Sequence, residues 1–208
     1  MIMAACIQNR AREHTMNHSY HSNSGVGMIE VLVALLVISV GFLNIAALQT
    51  AAKKSNYAAL QRTSAVILAH DIAEKMRANP VSLSSYRRSG VGGGTLSQPG
   101  VVCSSASRCA PGQLAAYDVW LWEQAMDGAS ENRSIDGTDT DTGGLVNPTG
   151  CVVGPSAGGA GVYTISISWR GLNELTNVST NTCGTGLGKY GNNEVFRRIL
   201  TFNTYIAP

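Results

Sequence analysis

The sequence predicts an α+β fold in which one long N-terminal helix packs its second half on a small antiparallel sheet. Residues 31–52 carry no charged side chain, and residues 53–78 continue with apolar side chains at helical spacing and without a turn signal between the two segments. Residues 162–169 alternate polar and apolar side chains, and residues 195–206 are rich in β-branched and aromatic ones, which is typical of strands.

The uncharged run is long enough to cross a membrane, which takes about 20 apolar residues in a helix. Glu30 stands at the start of the run, where a carboxylate is costly without a partner and is therefore a candidate functional residue. A cleaved secretory signal would have a shorter apolar core of roughly 7–15 residues. A simple signal anchor would leave Glu30 unexplained. A third interpretation is a signal that is cut before the run, so that the run stays in the mature protein.

The second half of the predicted helix is amphipathic. Its predicted apolar stripe consists of Tyr57, Leu60, Ser64, Ile67, Leu68, Ile72 and Met76. The Asn79–Pro80 pair ends the helix, because proline disfavours helical backbone in the residue before it. We therefore expect one helix over residues 26–78, with one face of its second half buried against a domain.

The segment Gly-Val-Gly-Met-Ile-Glu at residues 25–30 resembles the type IV prepilin motif, in which a glycine and four residues precede a glutamate that opens an apolar helix. The resemblance implies that prepilin peptidase cuts between Gly25 and Val26, removes residues 1–25 as a leader and methylates the amine of Val26. It also implies that Glu30 serves assembly by neutralising the N-terminal amine of a neighbouring subunit. The sequence departs from the family at Val26, where most pilins carry Phe. The leader is long for a prepilin, so Met16 is an alternative start.

Residues 28–41, 45–49 and 69–80 narrow the resemblance to PilV, a family of minor pilins of type IV pili. This implies the type IV pilin fold, without a cofactor, in a subunit that primes pilus assembly and supports adhesion and twitching motility. The implied partners are other minor pilins, the major pilin, prepilin peptidase, the inner-membrane assembly platform and a tip adhesin. Two alternatives are the I-type pseudopilin of type II secretion, which shares the Glu-Val-Leu-Val-Ala-Leu run, and an uncleaved membrane-anchored binding module.

Residues 26–80 thus form the predicted helix, and residues 81–208 are expected to form a periplasmic globular head. Residues 81–112 are rich in Ser and Gly and indicate a loop. Residues 113–126 are predicted to form a short helix, with one of its two tryptophans, Trp120 or Trp122, as its anchor.

Residues 127–161 are polar and glycine-rich and indicate a linker, with a possible third strand near residues 151–153. Asp136, Asp139 and Asp141 are closely spaced in this linker, and clustered carboxylates in a turn are what Ca²⁺ binds. The full spacing of a calcium loop is absent, so a solvated acidic loop is the preferred interpretation and no metal site is predicted.

Five cysteines are present, of which Cys6 lies in the predicted leader. The remaining four, Cys103, Cys109, Cys151 and Cys183, would face the periplasm, where disulfides persist. Three pairings are possible. We favour Cys103–Cys109 with Cys151–Cys183, because each bond then closes a glycine-rich loop within one region. A four-cysteine zinc site is disfavoured, since the sequence has no Cys-x-x-Cys pair.

The composition favours a structural protein over an enzyme or a nucleic-acid-binding protein. The formal net charge is +2 and only 13% of residues are charged, which gives no basic face. His70 is the only histidine after the predicted leader, and its neighbour Asp71 would not face it on a helix. No catalytic constellation is therefore predicted.

Overall fold

The computed structural model describes residues 25–207 except 130, 136, 137, 142, 157, 177 and 178. Apart from Gly25, the predicted leader lies outside the described residues. The described chain divides into two compact units, the first ending at Ala47 and the second starting at Leu48.

Helix α1, Met28–Ala78, confirms the long N-terminal helix. Its buried face in the second unit consists of Gln61, Ala65, Leu68, Ala69, Ile72, Ala73 and Met76. The predicted stripe is wrong in part, since Tyr57, Leu60 and Ile67 are exposed. The helix buries an adjacent stripe that carries alanine at three positions, because short side chains let neighbouring elements approach the helix axis closely.

The segment after α1 is more regular than the loop predicted over residues 81–112. A 3₁₀ turn at Pro80–Ser82 leads into the short helix α2, Leu83–Tyr86, and then into strand β1, Arg88–Val91. The first and last side chains of α2 are fully buried and anchor the segment to the core. These elements are three or four residues long, too short for a periodic pattern to reveal them.

Helix α3, Pro111–Asp127, confirms the helix predicted over residues 113–126. Of its two candidate anchors, Trp122 is the one that is fully buried, and its Nε1 donates a hydrogen bond to the Leu68 carbonyl at 3.0 Å. Gly150 makes room for this ring, because a Cβ there would lie 2.3 Å from a ring carbon of Trp122. The ring thus joins α3 to α1 on one side and to the sheet on the other.

Three later strands join β1 in the main sheet: β4, Thr149–Val153, β5, Gly161–Arg170, and β6, Arg197–Ile206. The sheet is antiparallel with the strand order β1–β4–β5–β6. These strands confirm the strands predicted from the sequence. With the buried faces of α1 and α3 they form one hydrophobic core, so the α+β class and the packing of the helix on the sheet are confirmed.

The region over residues 127–161 contains more than the predicted linker. Strands β2, Asn132–Ile135, and β3, Thr138–Asp141, pair as a separate antiparallel hairpin. Strand β4 follows at the expected third-strand position. Asp136 lies outside the described residues, and the side chains of Asp139 and Asp141 are not described either, so the acidic loop remains a prediction.

Strand β5 is buried on both faces around its middle, although its alternating pattern predicts one buried face. Ser166 is 4% exposed and Ser168 is fully buried. Asn181 Nδ2 donates a hydrogen bond to Ser166 Oγ at 2.9 Å, and Tyr190 OH lies 3.1 Å from Ser168 Oγ. The hydroxyls of Ser166 and Ser168 therefore hydrogen-bond to a segment that covers the strand and do not face water.

Candidate processing and assembly site

Residues 25–27 precede α1 in non-helical backbone. The Val26 side chain is 69% exposed, and a Cβ added at Gly25 would meet no heavy atom within 4 Å beyond its chain neighbours. The peptide bond between Gly25 and Val26, where the sequence predicts cleavage, thus lies on accessible backbone ahead of the helix. The methylation expected at Val26 remains a prediction.

Glu30 lies in the first turn of α1, where its backbone N–H donates to the Gly27 carbonyl at 2.9 Å. A carboxylate in this turn interacts favourably with the positive end of the helix dipole. The side chain is exposed and makes no ion pair or hydrogen bond to any of the described residues. The carboxylate is therefore available to a partner outside the chain.

Of the helices in the described part of the chain, α1 alone is long and apolar enough to cross a membrane. Its most apolar window of 18 residues has a mean hydropathy of 2.7, and none of that window is buried inside the protein. A core helix of a soluble domain would be buried, so the lack of burial favours a membrane segment. Length and composition alone would also admit a signal sequence near the N terminus.

His70 is exposed on α1, and its ring centroid lies 4.4 Å from that of Phe202 in β6. Its sequence neighbour Asp71 pairs instead with Lys75, at 2.9 Å between carboxylate oxygen and Nζ. The histidine therefore packs on the sheet and does not form a His–Asp couple.

Both disulfides that the sequence favoured are present. Cys103 is bonded to Cys109 with a Cα–Cα distance of 5.5 Å, and Cys151 to Cys183 with 5.9 Å. The first closes a loop ahead of α3, and the second fastens the segment that covers β5 to strand β4. In this state the four sulfur atoms are not free to bind a metal.

A family model described as type IV pilin Tt1218-like matches residues 47–120, about a third of the chain. The match supports a type IV pilin. It covers the second half of α1 and the first part of the domain that follows it, in agreement with the fold. It starts after Gly25, Val26 and Glu30, so it does not test their roles. No curated protein and no solved structure matches the chain.

A buried carboxylate of α3 organises the glycine-rich loop at residues 92–96. Glu123 is fully buried and accepts hydrogen bonds from three backbone N–H groups, those of Gly92 at 3.0 Å, Thr95 at 2.7 Å and Leu96 at 2.9 Å. The Thr95 hydroxyl donates a fourth at 2.5 Å. The loop thus closes around one carboxylate, which supplies acceptors for donors that would otherwise be buried without a partner.

Asp127, one helical turn after Glu123, binds the same glycine-rich loop. Its carboxylate accepts hydrogen bonds from the backbone N–H of Gly93 at 2.8 Å and of Gly94 at 3.0 Å, both near the surface. The sequence analysis missed both carboxylates. The available signal was an i, i+4 acidic pair at the end of a predicted amphipathic helix, together with a glycine run whose N–H groups need acceptors.

A second polar cluster joins α2 to α3. Tyr86 OH donates a hydrogen bond to Asp118 Oδ2 at 2.5 Å, and Asn79 Nδ2 donates to the Pro111 carbonyl at 2.7 Å. Burial raises the pKa of Asp118 above its ordinary value of 3.8, and the hydrogen bond from Tyr86 opposes that shift in part. Burial, with the neighbouring carboxylate, also raises the pKa of Tyr86. The cluster fixes the turn after α1 against the start of α3.

Proposed function

We propose that the chain is a minor pilin of the type IV pilus, of the PilV kind, that primes pilus assembly. The observation that carries the proposal is Glu30, an exposed carboxylate in the first turn of an apolar helix that continues into the head. The fold and the family match support the coarser assignment to type IV pilins.

In this proposal prepilin peptidase removes residues 1–25 and methylates the amine of Val26. The apolar first part of α1 anchors the mature subunit in the inner membrane as a single span, with the head in the periplasm, before the subunit enters the extracellular fibre. Two disulfides in the head agree with an oxidising compartment. Residues 81–208 would form that head.

Glu30 would act during assembly as the partner of a positive charge on another subunit, its N-terminal amine. In the low-dielectric surroundings of packed apolar helices, two opposite charges attract far more strongly than in water. Either charge alone carries a large desolvation penalty there. Correct axial placement of a subunit would therefore be favoured when Glu30 meets the amine of its neighbour, and misplacement would leave both charges unpaired.

The proposed partners are other minor pilins, the major pilin, the inner-membrane assembly platform and a tip adhesin. The complex would start fibres used for adhesion and twitching motility. No nucleic acid is implied, because the sequence has no strongly basic balance.

An I-type pseudopilin of type II secretion is a second candidate, because it shares the apolar run after Glu30. Deletion of the gene separates the two. Loss of surface pili and twitching with intact protein secretion supports the minor pilin, whereas blocked secretion with normal pili supports the pseudopilin.

The deciding experiment is the mass of the N-terminal peptide of the protein isolated from its host, with and without prepilin peptidase. A peptide that begins with N-methylated Val26 only when the peptidase is present is the expected result. An uncut leader, or a cut after the apolar run, would contradict the proposal and favour an anchored or secreted binding module.

A further inference from the structure

A groove of about 420 Å³ in the second unit is lined by four cationic side chains and by no carboxylate among the described residues. The cations are Lys54 and Arg62 of α1, Arg170 at the end of β5 and Arg198 of β6. The aromatic rings of Tyr57 and Trp169 and the exposed side chain of Leu172 complete much of its wall. Such a concentration of like charge is unfavourable unless an anion lies nearby.

The described residues supply hydrogen-bond partners for only some of the donors on these four cations. Arg170 Nη1 donates to the Lys189 carbonyl at 2.7 Å, and its guanidinium lies 4.6 Å from the Phe196 ring centroid. Arg198 Nη2 donates to the Asn173 carbonyl at 2.7 Å. Its Nη1, however, is buried and has no hydrogen-bond partner within the described part of the chain.

A buried guanidinium N–H without an acceptor is costly, and among the described residues Arg198 Nη1 shares the lack of a partner with Arg87 Nε, Arg197 Nε and Glu194 Oε2. Burial also lowers the pKa of Arg198, as expected for a cation without a nearby anion. Lys54 and Arg62 are exposed, and neither takes part in an ion pair with any described residue. An anion in the groove would meet up to four positive groups.

The place of Lys54 in the sequence indicates the source of that anion. The uncharged run ends at Ala52, and Lys53 and Lys54 are the first charges after it. At 1.5 Å per helical residue, Lys54 lies about 3 Å beyond the run. The polar layer on each side of a bilayer is roughly 5–7 Å thick, so Lys54 would lie at the depth of the headgroups. Tyr57, three residues further along α1, is of a residue type enriched at membrane interfaces.

We propose that this groove holds the headgroup phosphate of an anionic phospholipid when the subunit is in the membrane. The phosphate oxygens would accept hydrogen bonds from the exposed Lys54 ammonium, and the positive charges of Arg62 and Arg198 would add to the attraction. This rests on the membrane-inserted form proposed above. A lipid is favoured over an acidic segment of another subunit, because headgroups are already concentrated at the level of Lys54.

The test is native mass spectrometry of the mature full-length chain released from nanodiscs of phosphatidylcholine and phosphatidylglycerol. Phosphatidylglycerol is expected to be enriched among the bound lipids relative to the bilayer. Lys54→Gln should reduce that enrichment by about fivefold, the effect of one cation close to the headgroups, and Arg62→Gln, about 15 Å beyond the run along the helix, should reduce it less. Both side chains are exposed, so neither variant should disturb folding.

Lys53→Gln is the matched control, because it removes the same charge at the same depth but Lys53 does not line the groove. An equal loss in Lys53→Gln would show diffuse charge attraction and overturn the proposal, as would lipids bound at the bilayer ratio. A second arm adds a soluble glutamate-rich peptide to discs that contain only zwitterionic lipid. If the wild type binds this peptide and Arg62→Gln does not, the groove binds a polypeptide and the lipid proposal is wrong. A chain that fails to insert contradicts the membrane anchor as well, whereas an inserted chain without enrichment contradicts only the lipid site.

Discussion

Replacing Glu123 by alanine should destabilise the head more than replacing any exposed acid of the chain. The carboxylate is fully buried and accepts four hydrogen bonds from a single loop, that of residues 92–96. In Glu123→Ala these donors lose their acceptor at once, and the side chain that replaces it is too short to fill the space.

The magnitude follows from the three backbone donors at Gly92, Thr95 and Leu96. Each buried donor without a partner costs about 1–3 kcal/mol, with the lower value where water can enter. The loop is only partly buried beyond Gly92, so we take about 1 kcal/mol for each donor and add about 1 kcal/mol for the lost side-chain methylene packing. The expected cost is therefore about 4 kcal/mol, close to that of removing one partner of a buried charged pair.

The measurement is urea unfolding of the mature chain in detergent, followed by tryptophan fluorescence, to which the buried Trp122 and Trp169 contribute. Asp127→Ala is the matched control, because it removes a carboxylate one turn away whose hydrogen bonds to Gly93 and Gly94 are exposed. Its cost should stay near 1 kcal/mol. Equal costs for the two variants, or a cost below about 1 kcal/mol for Glu123→Ala, would refute the view that Glu123 organises the loop.

Three further predictions concern the disulfides, Asp118 and Glu30. The Cys151–Cys183 bond spans a sequence separation of 32 residues and the Cys103–Cys109 bond one of 6. Replacing the first pair by serine should lower the free energy of unfolding in urea by about 4 kcal/mol, and replacing the second by about 2 kcal/mol. A larger loss for the Cys103–Cys109 pair would contradict this expectation. Because burial raises the pKa of Asp118, the folded state holds its proton to higher pH than the unfolded state, and this contribution to stability is lost as pH rises from about 3.8 through the raised value. The free energy of unfolding of the wild type relative to Asp118→Asn should therefore fall with pH in that window, and a difference that is flat or rises would show the shift to be absent. Glu30→Ala should leave membrane insertion intact and reduce incorporation into pili, measured by immunoblot of sheared fibres, with the exposed Glu174→Ala as control; normal incorporation of Glu30→Ala would remove the assembly role.

Periodic patterns predicted the long elements of this chain correctly. The second half of the helix over residues 26–78 and the strand over 162–169 show a clear repeat, whereas the strand over 195–206 was predicted from its β-branched and aromatic residues. The predicted stripe of α1 was correct at Leu68, Ile72 and Met76 and wrong at Tyr57, Leu60 and Ile67, because the buried face carries small residues at several positions. Alanines at 65, 69 and 73 recur at i, i+4 spacing, and that spacing marks the face that contacts the core.

Contacts between distant segments were not predictable in this way. Glu123 binds a loop about 30 residues earlier in the chain, and the partners of Ser166 and Ser168 lie beyond residue 180. A polar side chain in a strand pattern looks the same whether it faces water or a covering segment. The two environments are distinguished only by the hydrogen-bond partners that the folded chain brings to the side chain.

Stability of the head and competence for assembly depend on different residues of the chain. The hydrophobic core begins at Ala65, and the residues that fasten the head, Glu123 and the disulfide at Cys151, lie beyond it. Glu30 has no partner among the described residues, so its removal takes no contact from the core. Glu30→Ala should therefore leave the urea midpoint unchanged while assembly fails, and Glu123→Ala should lower the midpoint while membrane insertion persists. If Glu30→Ala lowered the urea midpoint as well as pilus assembly, the assembly defect would be a folding defect. Glu30 would then have no separate role in assembly.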